Sequence, residues 1–314
     1  MEAVFLYAGQ GSQRVGMGED FYEAYPAYRE VFDEVSGEAG FDLRELMRKG
    51  SEEALSQTEY TQPCMAAFAA GVTGLLIENG VRPVAACGLS LGEYGALYAA
   101  GAFSAKEYVR LTAYRGRAMA EAARGLTCCM SAVLGVESDV VSAACREYAG
   151  EGYVTVANYN CPGQTVLCGD ESAVGAVEES LREKGAKRFA RLRVSGPFHT
   201  KYMESAGKKL EAYLAELPFN PLQIPVCANV TGGYYGKDDD PKGLLTRQIQ
   251  SGVRLEENLR RLLSDGYAEF VEIGPGTTMA GFLKRTAKAL DASVNVCSID
   301  TAEDFRKLTE GAEA

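Results

Sequence analysis

Between Met130 and Val194 the hydrophobic pattern switches between a strand period and a helix period in one particular order, β-α-β-β-α-β. Met130–Val136, Tyr153–Asn158, Gln164–Gly169 and Arg188–Val194 read as strands, and Ser138–Ala149 and Glu171–Lys184 as helices. That order belongs to the ferredoxin-like unit. Strands and helices alternate on both sides of it. The expected fold is therefore α/β, a mostly parallel sheet flanked by helices (a hydrolase-like core) with an inserted ferredoxin-like α+β subdomain. The large domain takes residues 1–125 and 196–314, and the subdomain residues 126–195.

Before the insertion, Val4–Ala8 read as a buried strand ending in the turn Gly9-Gln10-Gly11-Ser12. Phe21, Tyr25, Tyr28, Phe32 and Val35 share one face of a single expected helix. Gln62-Pro63 is expected to open another, with Met65, Phe68, Val72 and Leu75 inward and Asn79-Gly80 as its stop. Pro83–Cys87 form a small-residue strand that runs into Gly88-Leu89-Ser90-Leu91-Gly92 and a helix through Ala100. Ser104 and Glu107 form a capping box for a helix over Ala105–Ala123. After the insertion come helices near Met203–Leu214 and Leu255–Leu263, strands at Ile224–Ala228 and Glu269–Ile273, the turn Gly274-Pro275-Gly276 and a last helix.

Composition narrows the function. With 46% hydrophobic and 24% charged residues in 314, the chain is neither disordered nor fibrous. A net charge of −11 argues against coating nucleic acid or an anionic membrane. A single histidine excludes His-rich metal sites. The nine cysteines contain no C-x-x-C pair, are odd in number and lack zinc spacing, so they read as reduced core thiols of a cytoplasmic protein. The apolar stretch Met65–Ile77 is broken by Gly71 and Gly74 and is too short to span a bilayer; no targeting segment is expected.

Gly88-x-Ser90-x-Gly92, between a strand and a helix, has the form of a nucleophile elbow, in which a sharp turn exposes a serine hydroxyl. The competing reading is a glycine-rich turn with an ordinary serine. A serine nucleophile needs a base, and His199, in Gly196-Pro197-Phe198-His199-Thr200, is the one imidazole available. Its place at a domain junction suits a cleft. The N–H of Leu91, and that of Gln10 in the first loop, are candidate oxyanion donors, although the loop reads equally as a simple turn. Arg115 interrupts the apolar stripe of Tyr108, Leu111, Ala118 and Met119. A buried guanidinium needs a partner, either an internal carboxylate or a carboxylate of the substrate.

Taken in order, these motifs resemble the malonyl-CoA:acyl carrier protein transacylases and the acyltransferase domains of fatty acid and polyketide synthases. The resemblance runs from Phe5 to about Leu290 and also rests on Thr61-Gln62-Pro63, Glu93-Tyr94 after the elbow, Arg115-Gly116-Arg117, Asn158-Tyr159-Asn160-Cys161-Pro162-Gly163-Gln164, Pro197-Phe198-His199 and Arg247-Gln248. It implies Ser90 as nucleophile, His199 as base, Gln10 and Leu91 as oxyanion donors, Arg115 as the holder of the malonyl carboxylate, and the backbone carbonyl of Gln248 as orienter of the histidine. Phe198 resembles the malonyl-selective members. Leu89 stands where many bacterial members have histidine, and Ala8 replaces a common proline. The implied reaction is ping-pong transfer of malonyl from malonyl-CoA to the phosphopantetheine thiol of acyl carrier protein, in fatty acid or polyketide biosynthesis, with no metal or other cofactor and a monomeric enzyme.

Two other functions fit parts of the sequence. A serine esterase or thioesterase of α/β-hydrolase type would order its residues Ser…Asp/Glu…His with the histidine late, whereas His199 precedes more than 100 residues. A non-catalytic acyl-carrier-binding module has no need of both Ser90 and His199. For the acidic carrier protein, a docking surface is expected at Lys184, Lys187, Arg188, Arg191 and Arg193, where ten residues contain no acid; Lys187 and Arg188 are its central candidates. Lys284, Arg285 and Lys288 extend it if the last helix lies nearby. A solvated charged face is the plainer reading.

Overall fold

A computed structural model describes residues 1–192 and 196–310 of the chain. In chain order the strands are β1 Glu2–Tyr7, β2 Arg82–Gly88, β3 Cys128–Leu134, β4 Val154–Cys161, β5 Gln164–Asp170, β6 Arg188–Arg191, β7 Cys227–Ala228, β8 Gly233–Tyr234, β9 Val253–Arg254, β10 Glu269–Ile273 and β11 Asn295–Ile299. Apolar runs such as Val4-Phe5-Leu6-Tyr7 are buried on both faces, as a parallel sheet covered by helices requires. That sheet has the order β11-β10-β1-β2 with every pair parallel.

The second sheet has the order β6-β3-β5-β4-β9. Its first four strands are antiparallel neighbours in the ferredoxin-like order, and β9, from the chain after the insertion, adds in parallel to β4. Alternation sorts the side chains. Val133 and Leu167 face the helices Ser138–Glu147 and Glu171–Glu183, while Met130, Ala132, Val166 and Cys168 join the core of the large α/β unit. One face of the inserted sheet is therefore packed against the main body, and the cleft opens along that contact.

Several expectations need correction. The expected helix through Phe21 and Val35 is two helices, Glu19–Ala24 and Pro26–Ser36, broken at Tyr25, because proline excludes the helical conformation from the residue before it. The helix expected to open at Gln62-Pro63 starts at Thr58 and runs to Glu78, with Pro63 inside it. That helix, 21 residues long, contains the stretch read as too short to span a bilayer; it has the length and apolar character to cross one, but is largely buried within the fold. The strand expected at Ile224–Ala228 shrinks to β7, with a bridge from Val226 to Ala86. The chain does not end on the helix Thr278–Ala289: β11 and the helix Ala302–Glu310 follow. Arg193 and Val194, at the end of the expected last strand of the insertion, lie outside the described residues. The capping box at Ser104 and Glu107 and the helix Ala105–Ala123 match expectation.

Candidate active site

The elbow follows from two glycines. A Cβ on Gly88 would sit 2.0 Å from the carbonyl carbon of Gly92, and one on Gly92 would sit 2.2 Å from the carbonyl oxygen of Tyr7 on β1. Only bare backbone lets β2 turn this tightly into the helix Leu91–Ala99. Ser90 at the apex has φ 54° and ψ −97°, a strained backbone for a residue with a side chain. Asn229, beyond β7, holds the turn: its Oδ1 accepts from Ser90 N at 2.8 Å and its Nδ2 donates to Gly88 O at 2.8 Å.

Ser90 Oγ lies 2.7 Å from His199 Nε2. On the far side of the ring, His199 Nδ1 is 2.8 Å from the backbone oxygen of Gln248, at the end of the helix Pro241–Gln248. A carbonyl can only accept, so Nδ1 carries the proton and Nε2 presents a lone pair to the serine hydroxyl. Burial, aided by the positive charge of Arg115, pushes the imidazole down to about 4, against hydrogen bonds to the Gln248 and Ser251 backbone. The ring is therefore neutral at physiological pH. His199 itself has φ 61°, with its N–H bound to Ile249 O at 3.1 Å.

Arg115 is 1% exposed and reaches the same point. Its Nη2 donates to Ser90 Oγ at 3.1 Å and to Gln248 Oε1 at 2.9 Å, and its Nη1 donates to Gln62 Oε1 at 2.8 Å. Its guanidinium stands 5.0 Å from the centre of the Tyr94 ring. Every direct hydrogen-bond partner among the described residues is neutral, and none of their carboxylates hydrogen-bonds the guanidinium directly.

The early start of the Thr58–Glu78 helix matters here, because Thr58 and Gln62 stand one turn apart on the same face. Gln62 Nε2 donates to Thr58 Oγ1 at 3.0 Å, and Thr58 Oγ1 donates to Gln10 Oε1 at 2.6 Å. The loop after β1 is thus wired to Arg115. Leu91 is the first residue of its helix, so its N–H has no intrahelical acceptor. Gln10, Leu89, Ser90, Arg115, Phe198 and His199 line one cleft. Met130, Asn158, Asn160 and Val166 of the second sheet close its other wall.

The remaining sequence candidates, Lys187 and Arg188, are exposed on the far edge of the second sheet and do not line this cleft. Reasoning from sequence missed Asn229 and Tyr235, and assigned no role to Gln62 or Glu93 although it quoted both within motifs. An asparagine after a two-residue strand carries no local signal of its long-range contact with the elbow.

A hydroxyl at a strained turn, a neutral imidazole and a buried guanidinium, set at the carboxyl ends of β1 and β2, define an α/β protein whose site is arranged for acyl chemistry. The chain belongs to the acyl transferase domain family, whose description matches residues 4–304. The malonyl CoA-acyl carrier protein transacylase of Bacillus subtilis is 38% identical over 287 residues, 91% of this chain and 90% of its own length. The solved malonyl CoA-acyl carrier protein transacylase of Clostridium perfringens superposes with a TM-score of 0.94 at 35% identity, covering 100% of this chain and 98% of that one. A malonyl-transacylase solved in complex with its type II PKS acyl-carrier protein gives a TM-score of 0.92 at 32% identity, over 99% of this chain and 100% of that one.

Proposed function

We propose that the protein transfers the malonyl group from malonyl-CoA to the phosphopantetheine thiol of acyl carrier protein through a malonyl ester of Ser90. The observation that carries this reading is the convergence on one hydroxyl of His199 Nε2 at 2.7 Å and Arg115 Nη2 at 3.1 Å. An imidazole activates the oxygen, and a cation waits where an acyl group with a free carboxylate would extend. The donor and the acceptor are those in the names of the relatives.

In the first half-reaction Ser90 Oγ attacks the thioester carbonyl as its proton passes to His199 Nε2. The N–H groups of Gln10 and Leu91 stabilise the tetrahedral oxyanion, each worth about 3 kcal/mol in comparable sites. The C–S bond breaks and the CoA sulfur takes the proton from His199. In the second, the phosphopantetheine thiol gives its proton to His199 and attacks the ester. The C–O bond breaks, and the proton returns to Ser90. Atoms and charge balance without any redox step. Arg115 pairs with the malonyl carboxylate in both halves, and Phe198 narrows the cleft against branched acyl groups such as methylmalonyl. Free thiols at Cys64, Cys87 and the other cysteines suit a cytoplasmic setting.

Intact-mass analysis after incubation with malonyl-CoA is the direct test. The wild-type chain gains one malonyl group and Ser90→Ala gains none. A malonylated Ser90→Ala would place the nucleophile elsewhere, and rapid hydrolysis in place of transfer to the carrier protein would return the esterase reading.

A further inference from the structure

Glu93, three residues after the elbow serine, is 1% exposed and has no direct part in the chemistry above. Its Oε1 accepts from Tyr235 OH at 2.5 Å and its Oε2 from Gln248 Nε2 at 2.8 Å. Gln248 Nε2 also donates to Ser90 O at 2.7 Å. These acceptors fix which way the Gln248 amide faces, so its Oε1 points at Arg115 Nη2. The result is a relay of carboxylate, amide and guanidinium in which both ends of the amide dipole meet a charge of the favourable sign.

A buried guanidinium without a counter-charge costs several kcal/mol. Gln62, Gln248 and the Ser90 hydroxyl, which bond Arg115 directly, are all neutral. Among the described residues, the carboxylate that its network reaches is Glu93. Resting on the malonyl-transfer reading, we propose that Glu93 is the resident counter-charge of Arg115 and a specificity-determining residue that limits how strongly the empty site attracts a carboxylate-bearing acyl group. It acts through Gln248 and touches neither the acyl group nor the reacting atoms.

The electrostatic sign follows from the arrangement. An ionised Glu93 lowers the positive potential that a malonyl carboxylate meets at Arg115, and a neutral acetyl group is indifferent to it. Burial pushes the Glu93 carboxyl up to about 7, against hydrogen bonds from Tyr235, Gln248 and the Asn229 backbone and the attraction of Arg115. Those partners offset part of the burial, so the carboxylate predominates at pH 8, and removing the Tyr235 hydroxyl would favour the protonated form.

The test measures binding of malonyl-CoA and acetyl-CoA by calorimetry at pH 8, in a Ser90→Ala background so that neither thioester is turned over. Glu93→Gln keeps the shape and can still pair with Gln248 and Tyr235. It is expected to tighten malonyl-CoA by about threefold or more and to leave acetyl-CoA within about twofold. Tyr235→Phe, measured at pH 7, is expected to shift malonyl-CoA in the same direction by less. A merely structural Glu93 would weaken both esters together, and that result, or no change in either, overturns the proposal. If Glu93→Gln does not fold, Tyr235→Phe decides alone: unchanged malonyl-CoA affinity overturns it. Failure of the unmutated chain to form a malonyl adduct is a separate result that sinks the malonyl-transfer reading itself.

Discussion

His199 and Arg115 each combine burial with a single geometric purpose, and both make predictions at the scale of one side chain. Because burial holds the imidazole down to about 4, the neutral, proton-accepting form persists well below the ordinary histidine range. The rate of malonyl-serine formation should therefore lose its histidine-dependent activity only as pH falls through about 4. A stopped-flow pH profile with its acid limb near 6.5 would mean that the ring is more solvated than its packing indicates. Arg115→Ala should cut kcat/KM for malonyl-CoA by about two orders of magnitude, the worth of a charge-assisted pair. Acetyl-CoA, with no carboxylate, should lose far less. Equal losses would make Arg115 a structural residue.

At the scale of elements, the site depends on segments that start or stop at unusual places. Thr58 and Gln62 reach the loop of Gln10 and the guanidinium of Arg115 because their helix begins before Pro63. The elbow keeps its strained apex because Asn229 supplies both an acceptor and a donor to its backbone. Asn229→Ala leaves the N–H of Ser90 and the carbonyl of Gly88 without those partners. It should lower stability by about 2 kcal/mol, read from the urea midpoint. The same variant should slow acyl-enzyme formation, because the apex is then free to relax away from His199. A variant as stable as wild type would assign the support of the turn to the two glycines alone.

For the whole molecule, a net charge of −11 opposes the approach of an acidic carrier protein, so docking needs a local basic surface. The tertiary structure thins the basic patch seen in sequence. Lys184 pairs with Glu147 at 2.8 Å and Arg191 with Glu178 at 3.0 Å, while Arg285 donates to Gln164 at 2.7 Å. Arg193 lies outside the described residues. Lys187 and Arg188 enter no ion pair among the described residues, and they lead the exposed edge strand of the second sheet. Charges on an edge strand also deter pairing with other chains, which is the plainer role. If these residues dock the carrier protein, Lys187→Glu with Arg188→Glu should raise its apparent KM by about tenfold at low salt and spare the malonyl-CoA half-reaction. Unchanged carrier-protein kinetics would leave edge protection as their function.

The sequence by itself determined the features that local physics dictates. The capping box at Ser104 and Glu107 places its helix because the signal lies within four residues. The β-α-β-β-α-β order is legible because strand and helix periods differ and each run is long enough to show one. Gly88 and Gly92 mark the elbow because no other residue fits that turn. Legibility ended where a partner is distant in the chain. Pro63 looks like the opening of a helix, yet it lies inside one, since the packing of the Thr58–Glu78 helix outweighs one lost backbone hydrogen bond. Lys184 and Arg191 look like free charges until folding brings Glu147 and Glu178 beside them. The tertiary structure alone decided that Asn229 supports a serine 139 positions away and that Tyr235 meets Glu93 across 142. Those contacts are set by how β7 and the loop after it pack against the elbow, and a single chain position records nothing of the neighbour it will acquire.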